Sequence, residues 1–216
     1  MKEKFDSAEI ISLIRTIAKD LTEKSNYLSE LDSAVGDGDL GVTITLGMNA
    51  IEKGLNWLER KDIGTILMQS GMNCNRAASS TFGTILATAL IRAGKVVLQK
   101  YEIGVNEMVY MLEAMEKGIK ERGKADIGDK TVLDALVPMR TAFKKEIDLN
   151  KGLESALTEA YEAAQVGVEK TKDMVSESGR SKWLGERSVG HPDPGAIAFL
   201  LMLGSLITHL KKENDS

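Results

Sequence analysis

Apolar residues recur along most of this chain at the three- and four-residue spacing of a helix with one buried face. Ile10, Ile11, Leu13, Ile14, Ile17, Ala18 and Leu21 set the rhythm. It returns over residues 42–58, 63–72, 82–98, 105–119, 131–143, 153–174 and 196–210. The pattern predicts about eight helices, and no segment shows the clean alternation of a half-buried strand. Asp6 followed three residues later by Glu9 reads as a capping box opening the first helix. Of the three prolines, Pro138 lies inside a helical run and should kink it, whereas Pro192 and Pro194 mark a loop. Glycine- and aspartate-bearing connections join the helices without a low-complexity linker, so 1–216 reads as a single domain. The predicted fold class is all-α: an up-and-down bundle or closed antiparallel barrel of eight helices. Small residues such as Gly47, Gly54, Ala87, Ala93, Ala160 and Ala164 occupy many helix positions. They permit close helix approach; equally, they line an interior that holds something apolar, and the pattern leaves both readings open.

Composition narrows the class of protein. Of the 216 residues, 43% are apolar and 28% charged, ordinary values for a globular domain. A net charge of -4 favours neither nucleic acid nor an anionic membrane as partner. The lone cysteine, Cys74, excludes an internal disulfide and suits a reducing cytoplasm; it reads as a small hydrophobe rather than a nucleophile. The N-terminus carries charge with no apolar signal-peptide core behind it. The longest apolar stretch, 195–210, is broken by Gly204, Ser205, Thr208 and His209 and falls short of the ~20 apolar residues of a membrane span. It reads as a buried helix, and the expectation is a soluble cytoplasmic protein.

The chemistry-bearing residues gather between the helices, where a rigid scaffold usually presents a site. The first loop runs Leu31-Asp32-Ser33-Ala34-Val35-Gly36-Asp37-Gly38-Asp39-Leu40-Gly41-Val42-Thr43. Its three carboxylates repel one another unless a cation neutralises them, and Mg²⁺ prefers such hard oxygen ligands together with phosphates. The helix that follows offers its first amides to an anion. A polar turn in which Asp37 or Asp39 caps that helix fits the spacing as well. The second loop, Arg122-Gly123-Lys124-Ala125-Asp126-Ile127-Gly128-Asp129-Lys130-Thr131, suits contact with a phosphate or a base, or a solvated turn with Asp129 as helix cap. The third, residues 178–195, is long for a connection inside one domain. Arg180 and Arg187 have the geometry to bind phosphate oxygens bidentately. Trp183 either packs on a base or pins the loop to the core, and His191 is a base, a phosphate contact or a structural hydrogen-bonding residue.

Gly36-Asp37-Gly38-Asp39-Leu40-Gly41, Arg122-Gly123-Lys124 with Gly128-Asp129-Lys130-Thr131, Gly179-Arg180, Leu184-Gly185-Glu186-Arg187-Ser188-Val189-Gly190-His191 and Asp193-Pro194-Gly195 together resemble the L subunit of dihydroxyacetone kinases. The likeness runs in order from about Tyr27 to the last helix. It implies a closed eight-helix barrel with ADP or ATP at one rim, and two Mg²⁺ ions held by Asp32, Asp37 and Asp39. It implies nucleotide contacts at Leu40, Gly41, Val42, Thr43, Ala77, Ala78, Gly123, Val132, Arg180, Asp193, Pro194 and Gly195. It implies, further, a separate K-type subunit that carries the ketose, a phosphotransferase-system phosphocarrier that rephosphorylates bound ADP, and a homodimer. Catalytic side chains are not expected on this chain, because phosphoryl transfer depends on positioning and charge neutralisation.

Two positions depart from the family pattern. Leu40 stands where histidine is usual, and Asn75-Arg76-Ala77-Ala78-Ser79-Ser80 replaces a glycine-rich segment in a loop that looks shortened. They point to a divergent branch serving another short ketose such as erythrulose. A non-catalytic helical subunit that binds a partner or a lipid is the alternative, and the nucleotide-binding part of a fatty-acid kinase is a third.

Overall fold

The capping box forms as the sequence foretells. Asp6 Oδ1 accepts from the amides of Ala8 and Glu9, at 2.9 and 3.0 Å, and Glu9 Oε2 accepts from Asp6 N at 2.9 Å. The computed structural model describes residues 1–214, the side chain of Arg180 excepted. Its helices are α1 (Ser7–Glu23), α2 (Ser25–Val35), α3 (Leu40–Leu55), α4 (Ile63–Ala77) and α5 (Thr81–Val96). They continue as α6 (Val105–Gly123), α7 (Leu133–Asp148), α8 (Gly152–Lys170) and α9 (Pro194–Asn214). From α3 to α9 each helix packs on its successor, and α9 returns to α1, which packs on α3. Eight helices thus close a ring, with the direction reversing at each step. α2 stands outside it, against α3 and α9. The hydrophobic period does not register α2, because only Leu28 and Val35 on it are buried.

Two further elements lie below what periodicity detects. Strands β1 (Lys4–Asp6) and β2 (Glu102–Gly104) pair antiparallel, Phe5 opposite Ile103. Three residues cannot display an alternation, yet the pair ties the N-terminus to the start of α6 and buries Phe5 and Ile103 at that end of the ring. α7 runs through Pro138 as one helix. Pro138 has no N–H for the Asp134 carbonyl four residues back, and Gly167 on α8 approaches that carbonyl so closely that a Cβ would lie 2.0 Å from it.

Small residues take two kinds of position. They allow close approach, as at Gly167, and Ala89 and Ala93 face an interior cavity of about 290 Å³ lined by apolar groups including Ile14, Met48, Met111 and Met202. Cys74 is buried, which pushes its thiol up to about 11 and keeps it an uncharged, inert group. α9 is long and apolar enough to cross a membrane by length and composition alone. Here Leu203, Leu206 and Leu210 face the cavity and the helix packs on α1, α7 and α8.

Candidate functional site

The reversal of direction around the ring brings the N-termini of α3, α5, α7 and α9 to one end. They surround a cleft of about 200 Å³, to which they contribute Leu40, then Ser80 to Phe82, then Val132 and Leu133, then Asp193 to Gly195. A helix N-terminus carries unpaired amides and the positive end of the helix dipole, so four of them make this a place for anions. Ser80 caps α5 by accepting from Gly83 N at 3.1 Å, and Asp193 Oδ2 accepts from Ala196 N at 2.7 Å at the start of α9.

Three carboxylates border the same cleft. Asp32 projects from the last turn of α2; Asp37 and Asp39 come from the link 36–39. One oxygen of each lies within 4.8 Å of the others. Residues 31–35, read above as part of a loop, are helical, which fixes Asp32 opposite the link. Asp39 sits at the N-cap position of α3, but its side chain makes no capping hydrogen bond. Asp32 takes that role from the preceding helix, accepting from Leu40 N at 3.2 Å. Burial, and then the neighbouring Asp32 carboxylate, raise the Asp39 pKa from its ordinary value. Hard oxygen donors crowded in this way fit a divalent cation such as Mg²⁺.

Of the predicted contacts, the structure brings Asp32, Asp37, Asp39, Leu40, Gly123, Val132, Asp193, Pro194 and Gly195 to the cleft. It does not bring Gly41, Val42 or Thr43. The first turn of α3 rotates them away: Gly41 against the backbone of α2, Val42 into solvent, Thr43 into the core. Nor does it bring Ala77 or Ala78. α4 continues to Ala77, so the first half of the expected loop at 75–80 is helix, with Ala77 exposed and Ala78 buried. Ser80, Thr81 and Phe82 line the cleft instead, and the signal for them was present in a serine preceding an apolar helical run. The Arg180 side chain lies outside the described residues; its neighbours Ser178, Gly179 and Ser181 line the cleft.

The other two loops also differ from expectation. Asp129 does not cap α7. Asp134, inside the helix, accepts from Gly128 N at 2.6 Å and Thr131 N at 2.7 Å. Lys130 is 1% exposed, and no sequence signal marks a buried lysine. Residues 180–188 form two short 3-10 turns that meet in a kink at Gly185. Trp183 there is 69% exposed and stacks under the Arg187 guanidinium, 5.6 Å from the ring centroid, so it does not pin the loop to the core. His191 is exposed and does not line the cleft. Asp193 is the most perturbed acid beside the cleft. Burial foremost, with Asp134 and Asp32 adding to it, pushes its carboxyl up to about 7 against the opposing Ala196 amide and Lys130.

The chain is 30% identical over 204 residues to the ADP-binding subunit DhaL of the PEP-dependent dihydroxyacetone kinase of Escherichia coli (strain K12), covering 94% of this chain and 97% of that one. It is 32% identical over 205 residues to the L-erythrulose 1-kinase of Mycolicibacterium smegmatis, covering 94% of this chain and 36% of that one. In fold it matches the crystal structure of the dihydroxyacetone kinase from C. freundii in complex with AMP-PNP and Mg²⁺. The TM-score is 0.69 at 24% identity, over 96% of this chain and 35% of that one. The DAK2 domain matches residues 34–208, from the aspartate link to the last helix, and the chain belongs to that family.

Proposed function

We propose that this chain is the nucleotide-binding subunit of a dihydroxyacetone-type kinase, which holds ADP or ATP with Mg²⁺ and serves a short ketose carried by a separate K-type subunit. The observation that carries the reading is the convergence of three carboxylates, within 4.8 Å of one another, beside four helix N-termini. Near-complete coverage of an ADP-binding subunit supports it. Bound Mg²⁺ supplies charge neutralisation and orientation of the phosphates.

Everything else falls to the chain's own residues. Asp32, Asp37 and Asp39 hold the metal, two ions in the full reading. The amides that open α3, α5, α7 and α9 receive phosphate oxygens. Phe82, Ile85, Ile119 and Leu133 give the cleft apolar walls that exclude water. The described cleft residues include no histidine or cysteine, and transfer by positioning alone requires neither. The proposal extends to a phosphocarrier partner that rephosphorylates bound ADP, to a homodimer and to a cytoplasmic location. Likeness to an erythrulose kinase supports a short ketose other than dihydroxyacetone as an acceptor.

Calorimetric titration with ADP and ATP, with and without Mg²⁺, tests the reading. Mg²⁺-dependent binding is expected, weakened on the order of a thousandfold in Asp37→Ala. No binding by the unaltered chain under any of these conditions would overturn it. The interior cavity favours one other reading, a non-catalytic subunit that carries a lipid. Mass spectrometry of extracted ligands separates the two: nucleotide supports the kinase subunit, lipid alone the second reading.

A further inference from the structure

Residues 174–188 leave the core after α8 and return before α9, and both ends of this loop meet at one atom. Lys130 Nζ donates to Met174 O at 3.1 Å and to Ser188 O at 2.5 Å. Around that neck Ser176 N donates to Ser188 Oγ at 2.9 Å, and Gly190 N to Lys172 O at 2.7 Å. Beyond the neck, Ser178, Gly179 and Ser181 form one wall of the cleft, and Trp183 borders Asp37. Lys130 reaches the neck from the opposite wall, where the next residues, Thr131 and Val132, also line the cleft.

A buried ammonium is expensive, and an apolar side chain of the same length would fill the space without the desolvation cost. What the ammonium alone supplies is a simultaneous hold on two strands of chain. Burial lowers the Lys130 pKa, and the carboxylates of Asp193 and Asp173 act against that shift. The residue also holds a left-handed backbone, φ 59, which is uncommon for a lysine.

We propose that Lys130 is a positioning residue for the nucleotide: its buried ammonium closes the neck of the 174–188 loop and so holds the 178–181 wall in the binding geometry. The inference rests on the nucleotide-binding reading above. Binding through a loop that is closed only part of the time weakens affinity by the closed fraction. Where nucleotide also escapes only while the loop is open, a neck open about ten times as often releases it about ten times faster and raises Kd by about that factor.

The test uses the full chain with Lys130→Met, which keeps the stem and removes the donors. Its control is Leu55→Ala, a core truncation about 22 Å along α3 from the cleft. Stopped-flow measures ADP dissociation with Mg²⁺, and hydrogen exchange without nucleotide measures the amides of 176–190. The expected result for Lys130→Met is an off-rate about tenfold faster, with faster exchange at Ser176 and Gly190. Leu55→Ala should lower Tm at least as much and change neither. An unaltered off-rate and exchange in Lys130→Met, or the same rise in Leu55→Ala, overturns the proposal. ADP binding absent from the unaltered chain defeats the nucleotide reading instead, and exchange still decides the neck. Lys130→Gln, which can donate to one carbonyl, carries the same test with a smaller effect should the methionine variant not fold.

Discussion

Residues 36–39 and residues 174–188 face each other across the cleft and are built on opposite principles. The first is a short link stretched between α2 and α3, and it crowds charge of one sign: Asp37 and Asp39 beside Asp32. The second is long, and the buried charge at its neck is spent on its own backbone, on the carbonyls of Met174 and Ser188. One loop therefore concentrates charge for something brought from outside, while the other consumes a charge to keep its shape. Changes in the first should act through helix packing and ligand together. Changes in the second should act through local conformation.

The largest expected effect tests the first half of that contrast. At Gly41 a Cβ would lie 2.0 Å from Ser25 O and 2.5 Å from Ser29 Oγ, so Gly41→Ala must push α3 away from α2. Those two helices carry Leu40 and Asp32. The expected cost is about 3–5 kcal/mol, read as a fall in Tm of roughly 10 °C, together with loss of Mg²⁺-dependent ADP binding. Retained binding in a folded variant would mean that the aspartates do not depend on this contact.

Asp193 lines the same cleft, and its charge can be removed without removing its cap. Its folded pKa, about 7, stands above the ordinary 3.8. Its contribution to stability is therefore complete below about 3.8 and is lost as pH rises through about 7, because the unfolded chain ionises first. Asp193→Asn keeps an acceptor for the Ala196 amide and removes the ionisation. In metal-free buffer its stability relative to the unaltered protein should grow by about 2–3 kcal/mol between pH 5 and pH 8. Urea unfolding at the two pH values measures this; a constant difference would show that Asp193 ionises normally.

The physical character of each part decides how legible it was. Helices that bury a continuous stripe, such as α1 and α3, announce themselves by period, and the ring follows from their number and short connections. α2, with two buried residues, does not announce itself, and neither does a three-residue strand pair. The carboxylates were legible as types and spacing. Their convergence depends on α2, so the capped turn remained open until Asp32 was seen to take the Leu40 amide. Gly41 to Thr43 and Ala77 to Ala78 were placed by resemblance, and the rotation of α3 and the extension of α4 turn them elsewhere. Lys130 was readable only as one more charge in a loop, because its burial comes from two carbonyls 44 and 58 residues away in the chain.

A smaller effect is expected at Gly185, where the backbone has φ 54 and ψ -129 and no atom lies within 4 Å of a would-be Cβ. Gly185→Ala costs conformational strain alone, about 1–2 kcal/mol. Tm should fall by about 2–6 °C, with exchange rising in 180–188 and the helices unaffected. Set beside Gly41→Ala, it separates strain in a loop from collision between helices.

The smallest effect is expected at Trp183. A tryptophan in a loop usually reads as an anchor, but this ring is 69% exposed and its recorded partner is Arg187 on the same segment. Losing an exposed cation–π pair costs about 0.5–1 kcal/mol, so Trp183→Ala should lower Tm by no more than about 3 °C. Trp57, the other tryptophan, follows the far end of α3. Any fluorescence change on adding ADP and Mg²⁺ should therefore come from Trp183, which borders Asp37, and vanish in the variant. A Tm loss larger than that of Gly185→Ala would make the ring an anchor after all, and the long loop would then be held at its tip as well as at its neck.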